Sequence, residues 1–112
     1  MTPAVALLAA AALAGGADWK TLAACSAAYE VNAQVADPDR PASMKAMVSD
    51  VAADYRRAAE AAYRSATKSA SAKARRAVSG ELERQAKTLR AKPRTEVEAR
   101  IDACPQLPDV GG

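Results

Sequence analysis

Two cysteines, Cys25 near one end of a 112-residue chain and Cys104 near the other, constrain this fold more than any other feature. Paired, they would close a loop of about 80 residues, and the chain-entropy model credits such a loop with about 4 to 5 kcal/mol. That is comparable to the whole stability of a small domain. The staple has a purpose, because large apolar side chains are scarce: half the residues are apolar by type, but much of that share is alanine, and Phe is absent. A few residues such as Leu22, Tyr55, Val78, Leu89 and Ile101 must offset an ordering entropy of about 1 to 2 kcal/mol per backbone residue.

The pairing has a rival. Leu22-Ala23-Ala24-Cys25 matches the four-residue box read by bacterial lipoprotein processing, which would make Cys25 a lipid anchor. Upstream, Ala4 to Ala14 form an apolar run of about 11 residues, long enough for a signal-peptide core and too short for a spanning helix. Residues 1–17 therefore read as an export signal cleaved after Ala14 or Ala17, although no Lys or Arg precedes the run. Asp18 and Lys20 stand between that core and the box, and charges inside a membrane-inserted segment are costly. Lipidation would also orphan Cys104. Export into an oxidising compartment instead favours a Cys25–Cys104 disulfide. No Cys-x-x-Cys pair suggests redox catalysis.

Composition predicts an all-α fold, a small helical bundle of three to four helices within residues 18–104, followed by a loose tail at 105–112. The first helix runs from Asp18 to about Ala36, with Trp19, Leu22, Ser26, Tyr29, Ala33 and Ala36 on its inner face. Pro38 and Pro41 break it, and Ser43 is the expected N-cap of the second helix, ahead of Asp37 and Asp39. That helix carries the clearest seam: Met44, Val48, Val51, Tyr55, Ala58 and Ala62. A second stripe of Val78, Leu82 and Leu89 points the opposite way around the same helical axis. One straight helix cannot bury both, so a turn is expected between Ser65 and Gly80, at "KSASA" or "SG". The alternative is a continuous helix whose far half packs on another protein. Thr95-Glu96-Val97-Glu98 reads as a capping box opening a short last helix, with Val97, Ile101 and Cys104 inward.

Chemistry is conspicuously thin. Histidine is absent, which removes the commonest general base and zinc ligand and any Ser-His or Cys-His pair. Asp18, Glu30, Asp37, Asp39, Asp50 and Asp54 supply carboxylates, but at caps, loops or outer faces, and so small a chain offers no evident room for a sugar cleft. "DPDRPAS" lacks the remaining ligands and the turn glycine of a calcium loop. No glycine-rich phosphate loop is present. The expectation is a protein that is not an enzyme and holds no cofactor or metal.

Charge is the asymmetric property. Residues 64–94 sum to plus eight, against minus two for 18–63 and minus three for 95–112. Arg57, Arg64, Lys68 and Arg75 would share one face of a continuous helix, and Arg84, Lys87 and Arg90 follow in the next segment. Together they form the candidate contact surface, extended by any exposed part of the Val78 to Leu89 stripe. A solvated face needs no ligand at all. An acidic protein or an anionic envelope surface would suit the charge. Nucleic acid is disfavoured by export and by the lack of any aromatic residue after Tyr63.

An exported, two-cysteine, wholly helical small chain is similar in outline to the periplasmic acid-stress chaperones, but it carries no motif of theirs. The expected role is that of a periplasmic or secreted binding or adaptor protein. The alternatives are a self-associating structural protein of the envelope, a holdase-type chaperone, or a lipid-anchored protein.

Overall fold

The computed structural model describes residues 18–34 and 39–107. The export leader with its cleavage boxes, Ala36 to Pro38 of the first break, and the tail from Pro108 onward lie outside the described residues. Among those described there are four helices and no strand: α1 (Trp19–Gln34), α2 (Ala42–Thr67), α3 (Ser71–Arg90) and α4 (Arg94–Asp102). None of these helices is long and apolar enough to cross a membrane.

Paired contacts fix the topology. Trp19 meets Tyr63 edge to face at 5.0 Å and Tyr29 stacks on Tyr55 at 5.4 Å, so positions rise along α1 as they fall along α2. The two helices are antiparallel. Leu22 shares a cluster with Val78, and Gln34 bonds Arg90, so α3 runs parallel to α1. Val97 joins Ala28 and Val31 while Cys104 bonds Cys25, so α4 returns antiparallel. The result is an up-down-up-down bundle with α1 at its centre.

The sequence of α1 explains its position. Leu22, Ala23, Cys25, Ser26, Ala27, Ala28 and Val31 are all buried, and they occupy most of the helix circumference rather than one stripe. A helix apolar nearly all round requires neighbours on several sides. The expected single inner face was too narrow. Alanine makes the arrangement possible, because Ala23, Ala28, Ala52, Ala59 and Ala74 have no exposed surface and admit a neighbouring backbone closely. Ser26 adds a specific lock, its hydroxyl donating 2.7 Å to the carbonyl of Ala52.

The turn expected between the two opposed stripes exists at Lys68–Ala70. Lys68 caps α2 in the left-handed region at φ 54°, and its amide donates to the Arg64 carbonyl at 2.7 Å. Reversal at this point lets Val78 join Tyr55 and Ala59 in one core cluster, while Leu89 packs with Ala27, Ala28, Val31 and Val97 in a second. The α2 seam holds from Val51 to Ala62, but Met44 is 46% exposed and Met47 60%. The reason is length: α2 has 26 residues and α1 only 16, so the start of α2 overshoots its neighbour.

Two capping expectations are corrected. The N-cap of α2 is Pro41, not Ser43, Asp37 or Asp39, and it makes no side-chain cap bond. Its carbonyl accepts from Met44 and Lys45. Pro93 does the same for α4, accepting from Glu96 and Val97. Thr95 therefore sits inside the first turn, and Glu98 pairs with Arg94 at 3.4 Å instead of closing a capping box. Proline, with φ preset and no amide to satisfy, starts both helices earlier than the polar cap candidates.

The disulfide is formed, with 5.9 Å between the Cα atoms of Cys25 and Cys104. A sulfur bonded to Cys104 has no thiol for a lipid, so the anchored alternative and this bond are mutually exclusive.

Candidate functional site

Three of the four sides of α1 are covered by α2, α3 and α4, and the fourth is open. Cys25 points to α4, and five residues further along, at about 100° each, Glu30 faces nearly the opposite way. Ser26, Ala27, Glu30 and Gln34 form the floor of a groove of about 560 Å³ between α2 and α3. Its walls are Ala52, Ala53 and Arg56 from α2, and Leu82, Glu83, Ala86, Lys87 and Arg90 from α3. A second cleft of about 670 Å³ continues it toward the α2–α3 turn, lined by Arg56, Ala72, Arg75, Arg76, Ser79, Gly80 and Glu83. Arg56 and Glu83 belong to both, so the two form one channel along α3.

The charge of this channel is lopsided. Arg56, Arg75, Arg76, Lys87 and Arg90 line it against two carboxylates, Glu30 and Glu83. Arg56 is held in place, donating 2.7 Å to the Ser79 hydroxyl and pairing with Glu60 at 3.5 Å. Arg90 donates to the Gln34 side-chain oxygen at 3.3 Å, tying α3 to α1 at the far end. Arg75, Arg76 and Lys87 have no ion pair among the described residues. Cations gathered along a concave wall reinforce one another's field and attract anions more strongly than the same charges scattered on a convex face.

The anticipated basic surface is thereby divided. Arg75, Lys87 and Arg90 line the channel. Arg57 pairs with Asp54 on the outside of α2, Arg64 reaches the Ser69 carbonyl at the turn, and Lys68 is the α2 cap. Arg84 is bonded to the buried Glu81. A face shared by Arg57, Arg64, Lys68 and Arg75 required a continuous helix, which the turn interrupts. The apolar stripe is also unavailable, since Val78 and Leu89 are buried, and Leu82 alone of that stripe reaches the channel. Arg56, Arg76 and Gly80 escaped notice. The signal for Arg76 and Gly80 was the spacing 72, 76, 80, 83, 87, 90, a second stripe on α3 legible once the turn is placed; Arg56, on α2, had no such signal.

Among the described residues Glu81 is the one buried acid, 6% exposed. Burial pushes its carboxyl up, but hydrogen bonds from Gln85 and Arg84 and the positive charges of Arg84 and Lys20 outweigh that and hold it below the ordinary carboxylate range. Its partners Arg84 and Gln85 belong to α3 itself, and it does not line the channel. Among the described residues no cluster of three or more acids or cysteines is placed to hold a metal ion.

The channel is an elongated, net-positive depression, with five cationic side chains against two carboxylates. It offers no paired acid and base. Compared with protein-family models, curated proteins and solved structures, the chain gives no match.

Proposed function

We propose that this protein is an exported binding or adaptor module of the bacterial envelope, and that it engages an acidic protein through the channel between α2 and α3. The observation that carries this reading is the gathering of Arg56, Arg75, Arg76, Lys87 and Arg90, from two helices, around one concave surface floored by small residues of α1. The disulfide supports an oxidising compartment, periplasmic or secreted.

Binding of polyglutamate, followed by fluorescence anisotropy at rising salt, tests the reading. Salt should weaken it steeply, and Arg75→Glu with Lys87→Glu and Arg90→Glu should weaken it on the order of tenfold or more. Arg57→Glu with Arg64→Glu, outside the channel, should do much less. Equal effects from both sets would reject the channel as the contact surface. Intact mass of the protein recovered from its native compartment checks export and the disulfide together.

A second reading rests on Met44 and Met47, exposed at adjacent turns of α2. They suit self-association through the overshooting start of α2 in a structural envelope protein. Sedimentation at micromolar concentration decides it, since a clean monomer that Met44→Ser and Met47→Ser leave unchanged would remove this option.

A further inference from the structure

Gly80 lies in the middle of α3, where glycine costs roughly 1 kcal/mol of helix stability relative to alanine. Nothing inside the protein requires it. A Cβ built there meets no atom within 4 Å, and its backbone conformation is ordinary helix. Its position is on the wall of the channel, beside Arg76 and Ser79.

We infer that the channel is the seat of an acidic α-helix of a partner protein, which lies along α3 and makes its closest approach at Gly80. This deepens the reading above and depends on it.

Shape argues for a helix. Each surrounding helix turns a stripe at spacings of three and four toward the channel: Ser26, Glu30 and Gln34 on α1, Ala52 or Ala53 and Arg56 on α2, and the whole run from Ala72 to Arg90 on α3. Such stripes are the ridges and grooves that receive another helix. The groove meets α1 at its Arg90 end, through Ser26, Ala27, Glu30 and Gln34, and runs between α2 and α3 toward Gly80, so a helix laid along α3 would touch α1 at one end and α2 and α3 at the other. The run from Ala72 to Arg90 spans about 27 Å, matching a helix of about 18 residues.

Charge argues for acidic side chains. Arg75 and Arg76 at one end and Lys87 and Arg90 at the other leave a central stretch of Ser79, Gly80 and Glu83, where the one cation, Arg56, is already engaged by Ser79 and Glu60. The complementary helix carries Asp or Glu toward both ends and small residues in its middle. Close backbone approach at a glycine is how helices pack when no side chain intervenes.

The test uses the full oxidised chain and two synthetic peptides of about 18 residues. One is an Ala/Glu helix with acids at both ends, and the other has the same charge but is broken by two prolines. The wild type should bind the helical peptide on the order of tenfold more tightly, and Gly80→Leu should erase that preference, with circular dichroism unchanged. Gly80→Ala should fall between. The inference is overturned if Gly80→Leu binds the helix as well as the wild type does, or if both peptides bind the wild type equally. It is also overturned if Gly80→Leu abolishes a dimer formed without peptide, which would put a second copy in the channel. Should anionic phosphatidylglycerol vesicles compete the peptide away in a manner Gly80→Leu does not alter, the ligand is a lipid surface instead. Absence of polyglutamate binding, or binding that charge reversal at Arg75, Lys87 and Arg90 leaves unchanged, would defeat the broader reading, a result separable from any of these.

Discussion

The Tyr55 hydroxyl, halfway along α2, donates a 2.6 Å hydrogen bond to the carbonyl of Pro105, immediately after Cys104. A residue fifty positions away thus holds the chain just where the disulfide has delivered it. Tyr55 is 4% exposed and Pro105 half-buried, so removing the hydroxyl leaves a partly buried acceptor unmatched. Tyr55→Phe should lower stability by about 1 kcal/mol, measured by urea denaturation. The pH dependence follows from the same packing. Burial first, and then Tyr29, raises the Tyr55 pKa above 10.0, and burial together with Asp102 raises that of Tyr29. The unfolded chain therefore ionises first. The stability these protons provide is complete below pH 10 and is lost as pH climbs toward the folded values, and Tyr55→Phe should flatten that decline.

Removing the staple tests how far α4 depends on it. Cys25→Ser with Cys104→Ser opens a loop whose ends are 79 positions apart, and the loss should approach about 4 to 5 kcal/mol, the chain-entropy value. The denaturation midpoint of the wild type in reductant should match that of the double variant in oxidant. Hydrogen exchange should show α4 opening first, because its short helix buries Val97 alone fully.

Glu81 gives the acid side of the stability curve. Its carboxyl is held below the usual value of 4.5 by Gln85, Arg84 and Lys20 against the opposing effect of burial. The unfolded chain then takes up the proton more readily. Stability from this group is present above about pH 4.5 and is lost as pH falls through the lower folded value. Glu81→Gln should lose about 1 to 3 kcal/mol at neutral pH and show a weaker acid dependence in thermal melts.

Helix class, the staple, the reversal near Lys68 and the inward direction of Val78 and Leu89 were legible in the sequence, because periodicity and cysteine number survive without tertiary context. The channel was not. Its floor is made of Ser26 and Ala27 and its walls of Ala52, Ala53 and Ala86, residues that sequence patterning counts as weak core. Their smallness is what brings three helices together while leaving a fourth side open. Ala59, fully buried between α2 and α1, makes the same point. Ala59→Leu should destabilise by about 1 to 3 kcal/mol through overpacking, seen as a lower melting temperature despite the more apolar side chain.

Gly80 inverts that expectation. Its missing side chain leaves no gap in the core, and a methyl group there would meet open space. Gly80→Ala should therefore stabilise the isolated protein by about 0.5 to 1 kcal/mol, by restricting the unfolded chain and favouring helix. Urea denaturation of the two proteins, compared at one pH with the disulfide intact, gives the difference. A gain of that size would mean the chain forgoes stability at a position on the channel wall, which gives glycine a role outside the folded monomer. A loss would mean that α3 needs flexibility at Gly80 for its own packing, and the residue would then belong to the fold rather than to the channel.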